Sequence, residues 1–361
     1  MSDTVFTFVP ADYPLDDVQL IANSLTEGGV LVPGYVAPQA GLLSLSGLIY
    51  ARQLEGLNTT ILPDRNLASR MARIARLGLE FPASIPSLIA VRLMAFAQAT
   101  DLQIEPSIAF HELAHRQGNS IAHEELAWFR AADRAGAKSW IDVALGRSTT
   151  LDIHSLPEQG TEDLAFPLRR WNRNYIVALK IAQIELESIS HLQRTKRLFA
   201  WMFDDFIFAG PAAVFATMYF SPFAKRRRLI KQLRSADRER AIDGVKNAAW
   251  DITHLSDFVG RVQQGVKDKE RYIFATADRS LAGIAPLLLM SPAASTPERS
   301  LARSLRDWWP PADADEIVDT LFSYIASIEA GEQRQHPNWP TDFIKTSISN
   351  GEGSIRAWRD N

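Results

Sequence analysis

Residues 58–79, NTTILPDRNLASRMARIARLGL, join a strand signal to a helix signal and decide the fold. The run from Thr59 to Leu62 is β-branched and apolar, Pro63 ends it, and apolar residues then recur at helical spacing. Asp64 and Asn66 therefore lie on a strand-to-helix turn. In open parallel sheets, ligands bind at the carboxyl ends of strands, where a carboxylate suits metal or phosphate chemistry. The alternative role for Asp64 is that of an N-cap, which accepts the first N–H groups of the helix.

Composition sets the outer bounds of the interpretation. The chain has 361 residues, enough for more than one domain. Its 39 basic and 42 acidic residues give a net charge of -3, so any basic patch must be local. The absence of cysteine excludes disulfides and thiolate metal sites and fits a reducing compartment. The N-terminal residues show no secretion signal, and we expect a cytoplasmic protein.

The strand-to-helix pattern recurs twice. LQIEPSIAF predicts a strand at 102–104 that leads into a helix carrying His111, Glu112 and His115. Residues 272–275 predict a strand that delivers Thr276 and Asp278 to the start of another helix. This alternation is typical of a parallel sheet. We therefore predict an α/β fold in which residues 58–62 and 272–275 are neighbouring parallel strands.

Changes in composition suggest the domain boundaries. We assign residues 1–56 to an N-terminal segment, 57–290 to the α/β domain with a large helical insertion at about 146–240, and 291–361 to a C-terminal helical segment and tail. Within the insertion, residues 209–223 are apolar throughout but short for a membrane span. They predict a buried core segment, with a membrane-touching hairpin as the alternative, and we expect no membrane span.

Four acidic residues occur in these contexts in chain order: Asp64, Glu112, Asp251 and Asp278. Several hard oxygen ligands of this kind can bind Mg²⁺ or Mn²⁺, which activate water for phosphodiester cleavage. The motifs ILPDRNL, IEPSIAFHEL, AAWDITHL and IFATADRSL, in this order, resemble those of PIN-domain nucleases. The resemblance covers about residues 57–128 and 240–290.

The resemblance implies a PIN-like parallel sheet flanked by helices and a metal-dependent endoribonuclease, as in the VapC-type toxins. It implies that the four acids are catalytic metal ligands and that Asn66 and Thr276 are the supporting polar residues. Asp243 and Asp257 are alternatives for the third acid. The chain departs from the family pattern at Pro63, which precedes the first acid, and in the long insertion, which could bind a protein partner or mediate self-association.

A second motif points to different chemistry. Residues 111–115 read HELAH, an HExxH string that on a helix places His111 and His115 as Zn²⁺ ligands, with Glu112 as the base of a metallopeptidase. A third ligand is required, and His123, Glu124 and Glu125 are the candidates. His123 lies two residues beyond the metzincin spacing.

A basic run follows the apolar segment. Its members are Lys225, Arg226, Arg227, Arg228, Lys231 and Arg234. A solvated helix face is one interpretation, and a stripe that contacts phosphates is the other. In the second case the run would face the acidic site with Arg65 and Arg279 at its rim and bind RNA or single-stranded nucleic acid. Three functions thus remain open: a nuclease, a zinc peptidase, and a PIN-like binding or interaction protein without catalysis.

Overall fold

A computed structural model of the chain describes residues 10–35, 43–224, 229–289, 297–332 and 339–359. These residues form two compact units. The first comprises Met1–Phe166 and Phe258–Ala282, and the second comprises Pro167–Asp257 and Gly283–Asn361. The described residues that precede position 57 therefore belong to the first unit.

The chain alternates helices with four described strands. The strands are β1 (Leu31–Pro33), β2 (Asn58–Pro63), β3 (Gln103–Ile104) and β4 (Glu270–Ala275). The helices of the first unit are α1 (Leu15–Gly28), α2 (Leu45–Gln53), α3 (Arg65–Leu77), α4 (Ile85–Thr100), α5 (Ser107–Gln117), α6 (Asn119–Arg134) and α7 (Ala137–Ala144). The second unit begins with α8 (Arg169–Glu185), α9 (His191–Asp204) and α10 (Gly210–Phe220). Helices α11 (Arg238–Asp268) and α12 (Arg279–Ile284) contain residues of both units, and α13 (Pro297–Leu305), α14 (Pro311–Glu329) and α15 (Phe343–Ala357) follow.

The sheet has the strand order β1-β4-β2-β3. Strands β2 and β4 pair in parallel over six residues, from Asn58 opposite Glu270 to Pro63 opposite Ala275, and β3 extends the parallel part beside β2. Only β1, on the other side of β4, runs antiparallel among the described strands. The predicted α/β class and the mostly parallel sheet are confirmed, and so is the pairing of residues 58–62 with 272–275.

Packing of the first unit follows the apolar pattern of its helices. In α3, Leu67, Met71 and Ile74 are buried, whereas Arg73 and Arg76 are exposed. Helix α4 is apolar on nearly all sides and packs against α1, α3 and α7. Trp140 of α7 is fully buried, and its indole N–H donates to the Ala132 carbonyl at 2.9 Å. This core holds the end of β2 and the start of α3 in a fixed position.

The described elements of the second unit are all helical. Helix α10 is buried from Ala212 to Phe220, which confirms that the apolar segment is part of the core. Helix α15 packs on α8, where Gly351 fits so closely that an added Cβ would lie 2.9 Å from Leu179 Cδ1. Within the described residues, no helix has both the length and the apolar character that crossing a membrane requires.

Candidate functional site

Thr276 connects the turns that follow β2 and β4. The pairing of Pro63 with Ala275 brings the next residues of both strands, Asp64 and Thr276, to the same edge of the sheet. The Thr276 hydroxyl donates a 2.6 Å hydrogen bond to Asp64 Oδ2 and accepts the backbone N–H of Asp278 at 2.9 Å. Asp64 is 3% exposed and Thr276 is fully buried. The structure thus brings Asp64, Thr276 and the Asp278 turn together at the predicted place.

Both acids also cap helices. Asp64 Oδ1 accepts the Leu67 N–H at 2.8 Å as the N-cap of α3, and Asp278 Oδ1 accepts the Ser280 N–H at 2.7 Å at the start of α12. The two alternatives for Asp64 are therefore compatible, because each carboxylate oxygen can accept more than one bond. The capping bonds fix the orientation of each carboxylate at the edge of the sheet.

Two arginines of α3, Arg65 and Arg70, are close to Asp64. Arg70 lies in the electrostatic field of Asp64: burial lowers the pKa of its guanidinium, and the negative charge of Asp64 opposes that shift. The same guanidinium donates to the backbone carbonyl of Asn66 at 2.9 Å. Arg65 forms a two-point bond with Glu125 of α6, at 2.9 and 3.4 Å. The site therefore has cations beside its carboxylates without drawing on the basic run.

The remaining predicted acids lie on helices. Glu112 is buried on α5, with the Arg116 guanidinium one turn later at 3.4 Å. Asp251 lies on the part of α11 that belongs to the second unit. Of its alternatives, Asp257 is bonded to Arg170 at 2.8 Å, and Asp243 is exposed. In the part of the chain that the structure describes, no group of three or more His, Asp or Glu side chains that could hold a metal ion is found. The set of four acidic ligands stays a prediction.

The donors at the sheet edge suit one kind of cation. Mg²⁺ keeps several of its waters and is commonly held by one or two carboxylates together with substrate phosphates. Asp64, Asp278 and the Thr276 hydroxyl are all hard oxygen donors on two adjacent turns. They fit Mg²⁺ or Mn²⁺ better than Zn²⁺, which prefers nitrogen and sulfur ligands.

The three histidines of the zinc alternative bond to one short segment, residues 162–166, which we call the strap. The bonds measure 2.7 Å from His123 Nε2 to Glu162 O, 2.8 Å from His111 Nδ1 to Leu164 O and 3.1 Å from His115 Nε2 to Phe166 O. A carbonyl oxygen only accepts, so each of these ring nitrogens carries a proton. One nitrogen of each ring is therefore used by the strap.

Asn119, the first residue of α6, also bonds to the strap. Its amide donates to Asp163 at 2.8 Å and accepts the Ala165 N–H at 2.9 Å. The Asn119 bond is the main cause of a lowered pKa at Asp163, and the Ala165 N–H and the charges of His115 and His111 act in the same direction. The histidines, Asn119 and the strap form one connected polar network.

Glu105 is an acidic residue that sequence reasoning missed. It follows β3 as Asp64 follows β2, and its backbone N–H donates to the Ile61 carbonyl at 2.9 Å. Its carboxylate accepts from Arg261 at 2.6 Å and from the Ser107 N–H at 3.0 Å. The signal was present in the sequence, because IEP repeats the strand-then-acid order of ILPD.

The predicted nucleic-acid residues fall into three groups. Lys225, Arg226, Arg227 and Arg228 lie outside the described residues. Lys231 and Arg234 belong to the second unit, where Lys231 is exposed and the Arg234 guanidinium lies over the Trp358 ring at 5.7 Å. Arg279 is exposed at the start of α12, one residue from Asp278, and Arg65 is held by Glu125 as described above.

Comparison of the chain with models of protein families, with curated proteins and with solved structures found no match.

Proposed function

We propose that the sheet edge formed by Asp64, Thr276 and Asp278 is the active edge of a metal-dependent phosphodiester hydrolase, with RNA or single-stranded nucleic acid as substrate. The observation that carries the proposal is the Thr276 hydroxyl, which bonds Asp64 and the Asp278 turn together. Two acid-bearing turns of separate parallel strands are thereby joined at the edge where open sheets bind ligands. Two of the four motifs that resemble those of PIN-domain nucleases, ILPDRNL and IFATADRSL, contain these residues.

The roles of these residues follow from their bonds. Asp64 and Asp278 would hold Mg²⁺ or Mn²⁺, which supplies charge neutralisation at the phosphate and a water of lowered pKa. Thr276 fixes the Asp64 carboxylate through its 2.6 Å bond, so that carboxylate needs little reorientation when a cation binds. Arg70 and Arg279, beside these acids, would attract the phosphates that the carboxylates repel.

The number of ligands is the reason that the proposal centres on the sheet edge and not on HELAH. A zinc site needs at least three protein ligands, and the described residues contain no group of three His, Asp or Glu side chains that could hold a metal, whereas Mg²⁺ can be held by one or two carboxylates. Each histidine of that alternative site already donates a ring N–H to a strap carbonyl. Metal-binding histidines commonly donate the N–H of their other ring nitrogen in this way, so these bonds are compatible with a zinc site and do not decide between the two proposals. Zinc that co-purifies in stoichiometric amount and is lost in His115→Ala would favour the peptidase instead.

The test is cleavage of a fluorescein-labelled single-stranded RNA by metal-stripped protein supplied with Mg²⁺ or Mn²⁺. Asp64→Asn and Asp278→Asn should each lose more activity than the roughly 10- to 100-fold that removal of an outer-shell partner costs. Asparagine caps helices about as well as aspartate does, so both variants should fold. A matched control is Asp237→Asn, because Asp237 caps the start of α11 by accepting the Glu239 N–H at 3.1 Å.

Metal-dependent cleavage that persists in both site variants would refute the assignment of these acids. RNA binding without cleavage in any metal, unchanged in Asp64→Asn, would identify a binding protein and refute the hydrolase.

A further inference from the structure

Arg70 differs from the other arginines of α3 in having no acidic partner. The other three each bond one glutamate; the pairs are Arg65 with Glu125, Arg73 with Glu80 and Arg76 with Glu124, at 2.9, 2.7 and 2.7 Å. Within the part of the chain that the structure describes, the Arg70 guanidinium donates one hydrogen bond, to the Asn66 carbonyl at 2.9 Å, and forms no ion pair. A guanidinium has five N–H groups, so most of its donors are not used by the protein.

The position of Arg70 directs its charge towards the sheet edge. Helical side chains tilt towards the N-terminus of their helix, and the Arg70 side chain reaches back one turn, to the carbonyl of Asn66. Asn66 lies two residues after Asp64, which caps the same helix. The negative charge of Asp64 acts on Arg70, but among the described contacts no hydrogen bond or ion pair joins the two side chains. The two opposite charges therefore attract each other without a direct bond.

The charge of Arg70 is only partly compensated. The side chain is half-buried, and burial is the main cause of the lowered pKa of its guanidinium. The positive charges of Arg73 and Arg65 lower this pKa further, and the charge of Asp64 opposes them. Charges that are removed from water in proteins are normally paired, because a bonded counter-charge offsets the cost of desolvation. An anion that bonds the guanidinium would supply this pair.

A phosphate would complete this arrangement. A guanidinium bonds two phosphate oxygens at once through its fork of N–H groups. Mg²⁺ is commonly held by one or two carboxylates together with substrate phosphates. A phosphate between the two charges would therefore bond Arg70 directly and would be joined to Asp64 through the cation.

We infer that Arg70 is the phosphate-binding residue of the sheet edge and that it positions the substrate phosphate beside Asp64. The inference rests on the proposed function, because it takes a phosphate ester as the ligand of this edge. Arg65 is less suited to the role, since its guanidinium would first have to leave Glu125. Arg279 is exposed and would attract the strand at longer range.

Fluorescence anisotropy measures the binding of fluorescein-labelled oligouridine in EDTA, so that neither metal nor cleavage contributes. Arg70→Gln should weaken binding by roughly ten- to 150-fold, the range for loss of a hydrogen bond to a charged group. Its log–log salt slope should fall by about 0.7, the value for one phosphate of a single strand. Arg70→Lys should keep the slope but recover only part of the affinity, because an ammonium group cannot form the two-point bond.

The matched control is Arg92→Gln. Arg92 belongs to the same unit, is also half-buried and donates to one uncharged partner, the Ser24 hydroxyl, at 2.5 Å. The control therefore removes the same charge from a similar environment, and it should change neither the affinity nor the salt slope.

Calorimetric titration with Mn²⁺ alone separates a phosphate contact from a distorted site. The Mn²⁺ affinity of Arg70→Gln should be unchanged or higher, because the guanidinium repels a cation held by Asp64. Unchanged oligouridine binding in Arg70→Gln, an equal loss in Arg92→Gln, equally strong competition by an oligoglutamate peptide, or a loss of Mn²⁺ affinity in Arg70→Gln would each overturn the inference. Failure of the proposed function looks different: binding in EDTA would still depend on Arg70, but no metal would support cleavage.

Discussion

Removing the Thr276 hydroxyl tests whether one side chain holds the candidate site together. In Thr276→Val the shape of the side chain is nearly kept, but Asp64 Oδ2 loses its 2.6 Å donor and the Asp278 N–H loses its 2.9 Å acceptor. Both losses occur at a fully buried side chain, where water cannot readily replace the hydroxyl.

The magnitude follows from the two bonds. A hydrogen bond to a charged group contributes about 1.5–3 kcal/mol, and a neutral one about 1 kcal/mol. Because Asp278 is only half-buried, its N–H can partly recover a bond to water. We expect the free energy of unfolding to fall by about 2–4 kcal/mol. The control Thr276→Ser keeps the hydroxyl and loses one buried methyl group, which costs about 1 kcal/mol.

Two measurements check this expectation. Urea unfolding compares the two variants, and an unchanged dependence on urea concentration would show that the unfolded state is not altered. Since the chain has two compact units, amide hydrogen exchange is needed to locate the loss, which should appear at residues 64–67 and 276–281. If Thr276→Val is as stable as Thr276→Ser and exchanges no faster there, the hydroxyl does not hold the turns together.

Two further predictions concern packing and pH. In Gly351→Ala the new Cβ would lie 2.9 Å from Leu179 Cδ1, and we expect a net loss of stability, because overpacking costs about 1–3 kcal/mol against a gain of about 1 kcal/mol in helix propensity. Gly353→Ala on the same helix meets no atom within 4 Å and should be stabilising, and urea unfolding distinguishes the two. Asp133 is exposed, but partial desolvation of its carboxyl raises the pKa above its ordinary 3.8, although the Gln98 bond and the charge of Arg134 oppose this, so the ionised form is slightly less favourable in the folded chain. Asp133→Asn should therefore be more stable than the wild type near neutral pH, and the difference should vanish as the pH falls below 3.8, which unfolding across a pH series measures.

Local patterns were sufficient to predict the acid-bearing turns. The β-branched run, Pro63 and the helical spacing after Asp64 are contiguous in sequence, and the turn at Thr276 repeats the same order. Strands that alternate with helices typically form a parallel sheet, and the residues that follow neighbouring parallel strands lie at the same edge of that sheet. The sequence patterns were therefore enough to predict that the turns at Asp64 and Thr276 lie close together. The hydroxyl bond between them was not predicted, because it depends on the one-residue register of β2 against β4.

The pairing of β1 was beyond the sequence patterns. The antiparallel β1 borders β4, which is more than 200 residues away, and three residues carry too little periodicity to reveal a partner. Glu105 was not predicted, although IEP repeats the strand-then-acid order, because the strand before it, β3, has only two residues. Short elements draw their stability from neighbours, and the neighbours are known only once the chain is folded.

The HELAH motif predicts the positions of two histidines but not their hydrogen-bond partners. The HELAH spacing correctly predicts that His111 and His115 share a helix, since four residues make about one turn. Their bonding partners, however, are carbonyls 53 and 51 residues further along the chain, and the partner of His123 is 39 residues away. The carbonyls of residues 162, 164 and 166 each accept a bond from one histidine. This spacing depends on the path of the strap across α5 and α6. The sequence predicts where the imidazoles lie on the helices. It does not predict their bonding partners, because these depend on how residues 162–166 fold back against the helices.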